Sequence, residues 1–118
     1  EDVVWLTVIS SAPGKQGHVT GVKADELTSS RNAMPDAVLF DDTGVTGKAY
    51  DAKTTPHMYV IDKKGVLQYM GGIDSIPSAK VDDIAKATPY FADAVTAVLA
   101  GNPANPAVTK PYGCSIKY

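Results

Sequence analysis

Short apolar runs separated by polar turns dominate this chain and predict its strands. The run at 3–10 is almost continuously β-branched or aromatic, which is typical of a strand covered on both faces. The run at 36–41 predicts a second short buried strand. Residues 58–62 and 66–70 flank an Asp-Lys-Lys-Gly turn and predict an antiparallel hairpin. The hydrophobic pattern therefore predicts four strands, of which the last two are neighbours.

Helical spacing fills the segments between and after these strands. Residues 20–32 are predicted to form a helix with a weak apolar stripe, and residues 45–52 two helical turns. Residues 73–87 read as an irregular connection with one turn of helix at 82–84. In the short helix we expect Val45, Ala49 and Tyr50 to face inward. The clearest helix follows Pro89 and ends at Gly101, and its predicted apolar face consists of Tyr90, Phe91, Val95, Val98 and Leu99.

The order β-α-β-α-β-β-α predicts an α/β fold with a mixed sheet, a C-terminal hairpin and a closing helix. The length of 118 residues fits one domain, residues 1–118, in which 102–118 form an extended tail. A net charge of −2 provides no electrostatic basis for binding nucleic acid or an anionic membrane. No apolar run approaches the roughly 20 residues of a membrane-spanning helix. Neither nucleic acid nor a membrane is therefore a predicted partner.

Thr55 and Pro56 stand at the start of the 58–62 strand. Proline has no N–H to donate to a strand ladder, so it belongs at a strand's first residue or at an edge. The main-chain groups beside it are then left to face a ligand or a partner. Thr55 and Pro56 are therefore the candidate substrate-binding residues.

Cys114 is the only cysteine, which excludes an internal disulfide and any multi-cysteine metal site. It follows Pro106 and Pro111 in a tail too broken by proline to be a helix. Two interpretations stay open: a small buried hydrophobic residue, or a lone thiol with redox chemistry. The spacing of His18 and His57 matches no metal-binding pattern, and the sequence predicts neither a metal nor a cofactor.

A set of motifs along the whole chain is similar to one known family. The motifs are Thr-Thr-Pro-His-Met-Tyr-Val-Ile-Asp-Lys-Lys-Gly at 54–65, Leu-Gln-Tyr-Met-Gly-Gly-Ile-Asp at 67–74, Asp-Asp-Thr-Gly at 41–44 with Gly-Lys-Ala-Tyr at 47–50, and Tyr-Gly-Cys-Ser-Ile-Lys-Tyr at 112–118. The chain thus resembles thioredoxin-fold redoxins of the peroxiredoxin-like family, which is related to alkyl hydroperoxide reductase and thiol-specific antioxidant proteins.

This resemblance implies a thioredoxin-like fold and either thiol–disulfide exchange or peroxide reduction, with a protein thiol or disulfide as partner. It implies a cis Thr55–Pro56 peptide that docks an extended substrate; a trans proline starting an edge strand is the alternative. It also matches Cys114 with a family cysteine that acts as a resolving thiol. The family's nucleophilic cysteine precedes the segment matched by 3–10 and is absent here, so we expect a chain truncated at its N-terminus and inactive on its own.

The strand that the resemblance places between 3–10 and 58–62 is also absent. Unpaired buried ladder groups cost on the order of 1–3 kcal/mol each, so we expect a second copy to cover them in a homo-oligomer. The alternative function is a non-catalytic protein-binding or structural dimerisation module that uses an exposed sheet edge. The bacterial cytoplasm and periplasm both remain open as compartments.

Overall fold

The computed structural model describes residues 3–30 and 35–118, so the predicted end of the first helix at Asn32 lies outside the described residues. The chain has a mixed α/β architecture. Its elements in chain order are β1 Leu6–Ile9, α1 Gly21–Ser30, β2 Ala37–Phe40, α2 Val45–Ala49, β3 Thr54–Thr55, β4 Met58–Ile61, β5 Leu67–Gly71, α3 Val81–Ile84, α4 Tyr90–Leu99 and β6 Cys114–Ser115.

The strands of the described residues form three two-stranded sheets, where the sequence predicted one mixed sheet. β1 pairs with β2 in parallel, with Leu6 opposite Ala37. β4 and β5 form the predicted antiparallel hairpin, with Tyr59 opposite Met70 and a register shift near its turn. β3 and β6 form a third, antiparallel pair of two residues each. Strands of two to five residues give short ladders, and Pro56 cannot donate to one, which separates β3 from β4.

The chain divides into two compact units. Unit 1 consists of the described residues of Glu1–Ala52 together with Ile116–Tyr118, and unit 2 is Lys53–Ser115. Unit 1 contains the parallel β1–β2 sheet with α1 and α2. Unit 2 contains the β4–β5 hairpin, the β3–β6 pair, α3 and α4.

The described core lies in unit 2, where α4 packs on the β4–β5 hairpin. Tyr69 of β5 is almost fully buried, at 1% exposure, and contacts Ala94 and Ala104. The predicted apolar face of α4 is only partly correct, because Ala94 is its most buried residue and Leu99 is exposed. A small residue occupies the closest approach between helix and sheet, and the larger side chains pack around it. The partly buried residues around this core are Met58, Val60, Tyr90 and Phe91.

The prediction that β1 and β2 are buried is wrong. Trp5 is 56% exposed, Leu6 51% and Phe40 45%. A strand is buried on both faces only where both faces of its sheet are covered. In the described part of unit 1 the helices are the ten-residue α1 and the five-residue α2, and β1 pairs only with β2 among the described strands. A wide apolar surface is therefore left on this sheet.

The inward face predicted for α2 is also wrong. Val45 is 68% exposed, Ala49 and Tyr50 are exposed, and Gly47 is the buried residue of the helix. The helix has turned its smallest residue towards the protein because a side chain at that position would collide with its neighbours. Steric fit therefore outweighs the apolar pattern in this short helix.

The Thr55–Pro56 peptide is cis, as the resemblance implied, and not the trans alternative. Asn105–Pro106 is also cis, which the sequence did not predict. The helical turn expected at 82–84 is present as α3, Val81–Ile84. Among the described residues, no helix combines the length and the apolar character needed to cross a membrane.

Candidate functional site

The candidate site residues Thr55 and Cys114 lie opposite each other in the β3–β6 pair. Their register is direct, with Thr55 opposite Cys114 and Thr54 opposite Ser115. The sequence did not predict β6, because its position near the end of the chain argued against a core strand. The strand that β6 pairs with lies 59 residues earlier in the chain, and a local sequence pattern does not reveal such a partner. We call Thr54–Thr55 with Cys114–Ser115 the β3–β6 ribbon.

The β3–β6 ribbon is at the surface of unit 2. Thr55, Pro56 and Cys114 are all exposed, so the interpretation of Cys114 as a buried hydrophobic residue is wrong. Directly opposed residues of an antiparallel pair project from the same face, with Cβ atoms about 4.5–5.5 Å apart. The Cys114 thiol and the Thr55 side chain therefore share one accessible face of the ribbon.

Gly113 allows the two strands of the ribbon to approach closely. Its φ of +130° lies in a region that residues other than glycine rarely adopt. A Cβ at this position would clash with the Thr55 carbonyl oxygen and lie 3.0 Å from its carbonyl carbon. Gly113 therefore brings the chain against the Thr55–Pro56 peptide immediately before Cys114.

Local hydrogen bonds fix the entry to β4. The Thr54 hydroxyl donates to the Pro56 carbonyl over 2.7 Å. The Lys53 amide donates to Nδ1 of His57 over 3.2 Å, and the His57 ring stacks on Tyr59 with centroids 4.8 Å apart. His57 thus supports the turn before β4, and among the described residues no cluster of three His, Cys, Asp or Glu side chains could hold a metal ion.

The tail that leads to the ribbon is bound to the end of β5. The Thr109 hydroxyl accepts from the Gly72 amide over 3.0 Å and lies 2.5 Å from the Tyr69 hydroxyl. Tyr69 in turn donates to the Gly72 carbonyl over 2.6 Å. Burial raises the pKa of Tyr69, while the bond to Thr109 acts in the opposite direction. These contacts hold the tail on the core five residues before Cys114.

A second attachment lies two residues before Cys114. The Tyr112 hydroxyl donates to Oδ1 of Asp74 over 2.6 Å. The same oxygen accepts the Ile76 amide over 3.1 Å, which fixes the carboxylate. The hydrogen bond to Asp74, with burial and the carboxylate charge, raises the pKa of Tyr112 to about 12. The phenol is therefore protonated, and donates, throughout the neutral range.

Unit 1 holds a separate polar cluster around Asp41. Its carboxylate accepts the Ser10 hydroxyl over 2.7 Å and the amides of Thr46 and Gly47 at the start of α2 over 3.1 and 2.8 Å. Burial raises the pKa of Asp41, but the bonds from Gly47, Ser10 and Thr46 outweigh it and lower the pKa below its ordinary value. Asp41 therefore organises α2 as an ionised carboxylate.

Tyr118 occupies a slot in the same unit. Its hydroxyl donates to the Ala52 carbonyl over 2.6 Å, and its ring lies against Gly44 and Gly47. The ammonium of Lys48 lies 5.2 Å from the ring centroid. Lys15 donates over 2.6 Å to the main-chain oxygen of Tyr118. Sequence reasoning did not single out this slot, although a glycine within a helix, where it costs about 1 kcal/mol, signals a close approach.

His18 belongs to unit 1 as well. Its Nε2 lies 3.1 Å from Oδ1 of Asp42, a partly exposed pair in the loop region. The structure does not bring His18 and the candidate residues Thr55, Pro56 and Cys114 into one compact unit. Thr55, Pro56 and Cys114 lie together in unit 2, at the β3–β6 ribbon.

Comparisons with known proteins find a similar fold in solved structures but indicate no activity. No family model and no curated protein matches the chain. A solved hypothetical protein from Sinorhizobium meliloti matches 96% of the chain with a TM-score of 0.78 and 24% identity. An uncharacterized conserved protein from Geobacillus kaustophilus matches 98% with a TM-score of 0.78 and 25% identity. The chain spans about 60% of the length of these two proteins.

Proposed function

We propose that this chain is part of a thioredoxin-like redoxin domain in which Thr55 and Pro56 dock an extended substrate and Cys114 supplies the reactive thiol. The observation that carries the proposal is the direct pairing of Cys114 with Thr55. Exchange at sulfur requires an accessible thiol beside the docked substrate, and all three residues are exposed. The register of Thr55 with Cys114 and the exposure of both residues support thiol chemistry at the β3–β6 ribbon.

The docking role follows from how β3 ends. Pro56 has no N–H, so the ladder cannot continue through it, and the next strand begins at Met58. An extended substrate lying along the exposed face at Thr55 meets the Cys114 side chain directly across the ribbon. Main-chain pairing of this kind binds extended peptides with little dependence on their side chains. The substrate class is therefore an extended polypeptide that carries a disulfide or an oxidised cysteine.

Two balanced reactions fit a single thiol in this position. In exchange, the Cys114 thiolate attacks one sulfur of a substrate disulfide, forms a mixed disulfide and releases the other sulfur as a thiolate. In resolution, the Cys114 thiol condenses with a sulfenic acid on a partner cysteine to give a disulfide and water. Both reactions take the second sulfur from a partner, so the chain alone performs at most one turnover.

The test compares disulfide exchange at Cys114 with exchange at a misplaced thiol. The substrate is an extended peptide whose cysteine carries a thionitrobenzoate disulfide, and the release of thionitrobenzoate gives the rate. The reference reagent is the small aromatic disulfide without a peptide. We expect the peptide to react at least about tenfold faster relative to the reagent, as docking raises its effective concentration.

The matched control is the double variant C114S/S115C. It moves the thiol by one residue in the same exposed tail, and successive strand residues project to opposite faces. We expect this variant to lose the preference for the peptide while keeping its rate with the small reagent. An equal preference in wild type and variant would show that Cys114 is an ordinary surface thiol and would refute the proposal.

One observation favours the alternative from another class, a protein-binding or dimerisation module. β1 pairs only with β2 among the described strands, and its side chains from Leu6 to Val8 are exposed. An apolar strand with an unpaired edge favours pairing with another chain. We propose that a second copy covers this strand, so that self-association accompanies the thiol chemistry. Concentration-dependent light scattering tests this second function, as described in the Discussion.

A further inference from the structure

The two-residue β3–β6 ladder is too short to hold Cys114 in register unaided. Isolated two-stranded pairs are marginally stable in water even when they are longer. The register of Thr55 with Cys114 therefore depends on what holds the tail beside the ribbon. Within unit 2, Tyr112 attaches the tail through its side chain two residues before Cys114.

Tyr112 is held in two ways. Its hydroxyl donates to Oδ1 of Asp74 over 2.6 Å, and that oxygen is already fixed by the Ile76 amide. Its side chain is partly buried and packs beside Gly72, where a Cβ would lie 3.6 Å from the ring. The same Cβ would lie 2.9 Å from the Lys110 carbonyl, so the tail passes tightly over the end of β5. A bulkier residue than Gly72 would push the tail away.

Gly113 transmits this attachment to the ribbon. It is the single residue between Tyr112 and Cys114, and it lies against the Thr55 carbonyl. With Tyr112 fixed on Asp74 and Gly113 fixed on Thr55, the chain has little freedom left at the next residue. The side chain of Cys114 is therefore directed to the face that it shares with Thr55.

We infer that Tyr112, through its hydrogen bond to Asp74, is a positioning residue that keeps the Cys114 thiol opposite Thr55. The inference rests on the proposed function for its chemical meaning, but it concerns geometry and is testable without substrate. The Tyr112 hydroxyl is bound to Asp74, so its proposed role is to position Cys114 and not to react. It acts on Cys114 through two peptide units and through the glycine between them.

The experiment measures the position of Cys114 with an engineered disulfide. In T55C the new cysteine lies directly opposite Cys114, so the two thiols close a cross-strand disulfide in a glutathione redox buffer. The equilibrium constant for reducing the engineered disulfide with glutathione gives the effective concentration of one thiol at the other. T54C is the matched control, because residue 54 pairs with Ser115 and projects from the opposite face.

The positioning role is then read from Y112F in the T55C background. We expect the effective concentration to fall roughly tenfold, the equivalent of one hydrogen bond to a charged group. In D74N, which keeps an acceptor oxygen without the charge, the effective concentration should fall less than in Y112F. In Y112F/D74N it should fall no further than in Y112F alone. Y50F removes a phenol hydroxyl in unit 1 and should leave the value within twofold of T55C.

Each outcome decides the inference. An effective concentration unchanged in Y112F, or a T55C disulfide no stronger than the T54C one, overturns it. A fall in Y112F that tracks only a loss of global stability, measured by urea unfolding of the same variants, overturns it as well. The proposed function fails separately, if C114S/S115C keeps the peptide preference while Y112F still lowers the effective concentration.

Discussion

Thr55 and Cys114, 59 residues apart in sequence, lie directly opposite each other in an antiparallel ladder of two residue pairs. The Gly113 backbone brings the strands together at this point, because a side chain there would clash with the Thr55 carbonyl. The only thiol of the chain is thus held at the position where a strand ends before a proline. This relationship places the single cysteine beside the proposed docking residue.

The first prediction concerns turnover. The purified 118-residue chain should show no appreciable peroxidase or disulfide reductase turnover with hydrogen peroxide and either a thioredoxin or a dithiol reductant. Each catalytic cycle needs a second sulfur, and Cys114 is the only cysteine. Sustained turnover that disappears in C114S would contradict this and make Cys114 a one-cysteine nucleophile.

The second prediction tests the close approach at Gly113. G113A should lower the free energy of unfolding by about 2–4 kcal/mol, because the added methyl group meets the Thr55 carbonyl and φ is positive. G65A is the control: Gly65 also has a positive φ, but its Cβ would meet nothing within 4 Å. Its cost should be limited to about 1 kcal/mol of backbone strain. Urea unfolding of both variants makes the comparison, and equal costs would argue against the close approach.

The third prediction tests the Tyr118 slot. In G47A the new Cβ would lie 2.7 Å from Oγ of Ser10 and 2.8 Å from the Tyr118 hydroxyl, so we expect a loss of about 1–3 kcal/mol. G21A, also in a helix but in open space, should stay within about 1 kcal/mol of wild type. Because G47A crowds the slot that Y118A empties, the effects of the two changes on the free energy of unfolding should be non-additive. Additive losses in thermal or urea unfolding would refute the shared slot.

The fourth prediction concerns acid stability and Asp41. Its pKa in the folded protein lies below the ordinary value of 3.8, because hydrogen bonds from Gly47, Ser10 and Thr46 outweigh the opposing effect of burial. A lowered pKa contributes stability above the unfolded-state value, and this contribution is lost as the pH falls below 3.8 towards the folded-state pKa. D41N should therefore be less stable at neutral pH and should lose less on acidification. Urea unfolding across an acid pH series checks this, and parallel curves for both proteins would exclude the role.

The fifth prediction concerns self-association through β1. Light scattering across a dilution series should show a dimer or larger species at micromolar concentration, because apolar side chains of β1 are exposed. L6K should shift the equilibrium towards monomer without unfolding, since Leu6 is already half exposed. V22K, on the exposed side of α1, is the matched control. A wild-type monomer with a melting temperature independent of concentration would exclude self-association.

The predictions from sequence succeeded where local chemistry decides the structure. Pro89 and Gly101 bracket α4, the turn before Gly65 closes the β4–β5 hairpin, and Thr55–Pro56 is cis as the resemblance implied. Propensity and turn geometry act over a few residues, so a single sequence carries them. The proline before a strand, the cysteine count and the resemblance also marked Thr55, Pro56 and Cys114 as separate candidates.

The predictions failed where burial depends on distant segments. β1 reads as a buried strand, yet Trp5 and Leu6 are exposed, and the inward residue of α2 is Gly47 where an apolar face was expected. An apolar pattern shows which residues favour burial, but it does not show which segment covers them. Coverage is a property of the assembled fold.

The sequence by itself thus determined the order of β1, α1, β2, α2, β4, β5 and α4, the position of Pro56 before β4 and the presence of a single thiol. Only the tertiary structure decided that Cys114 lies opposite Thr55, that Tyr112 is fixed on Asp74 and that Tyr118 fills the slot at Gly47. These three contacts join residues 38 to 71 positions apart. They depend on the close packing of distant segments, and local propensity describes only neighbouring residues.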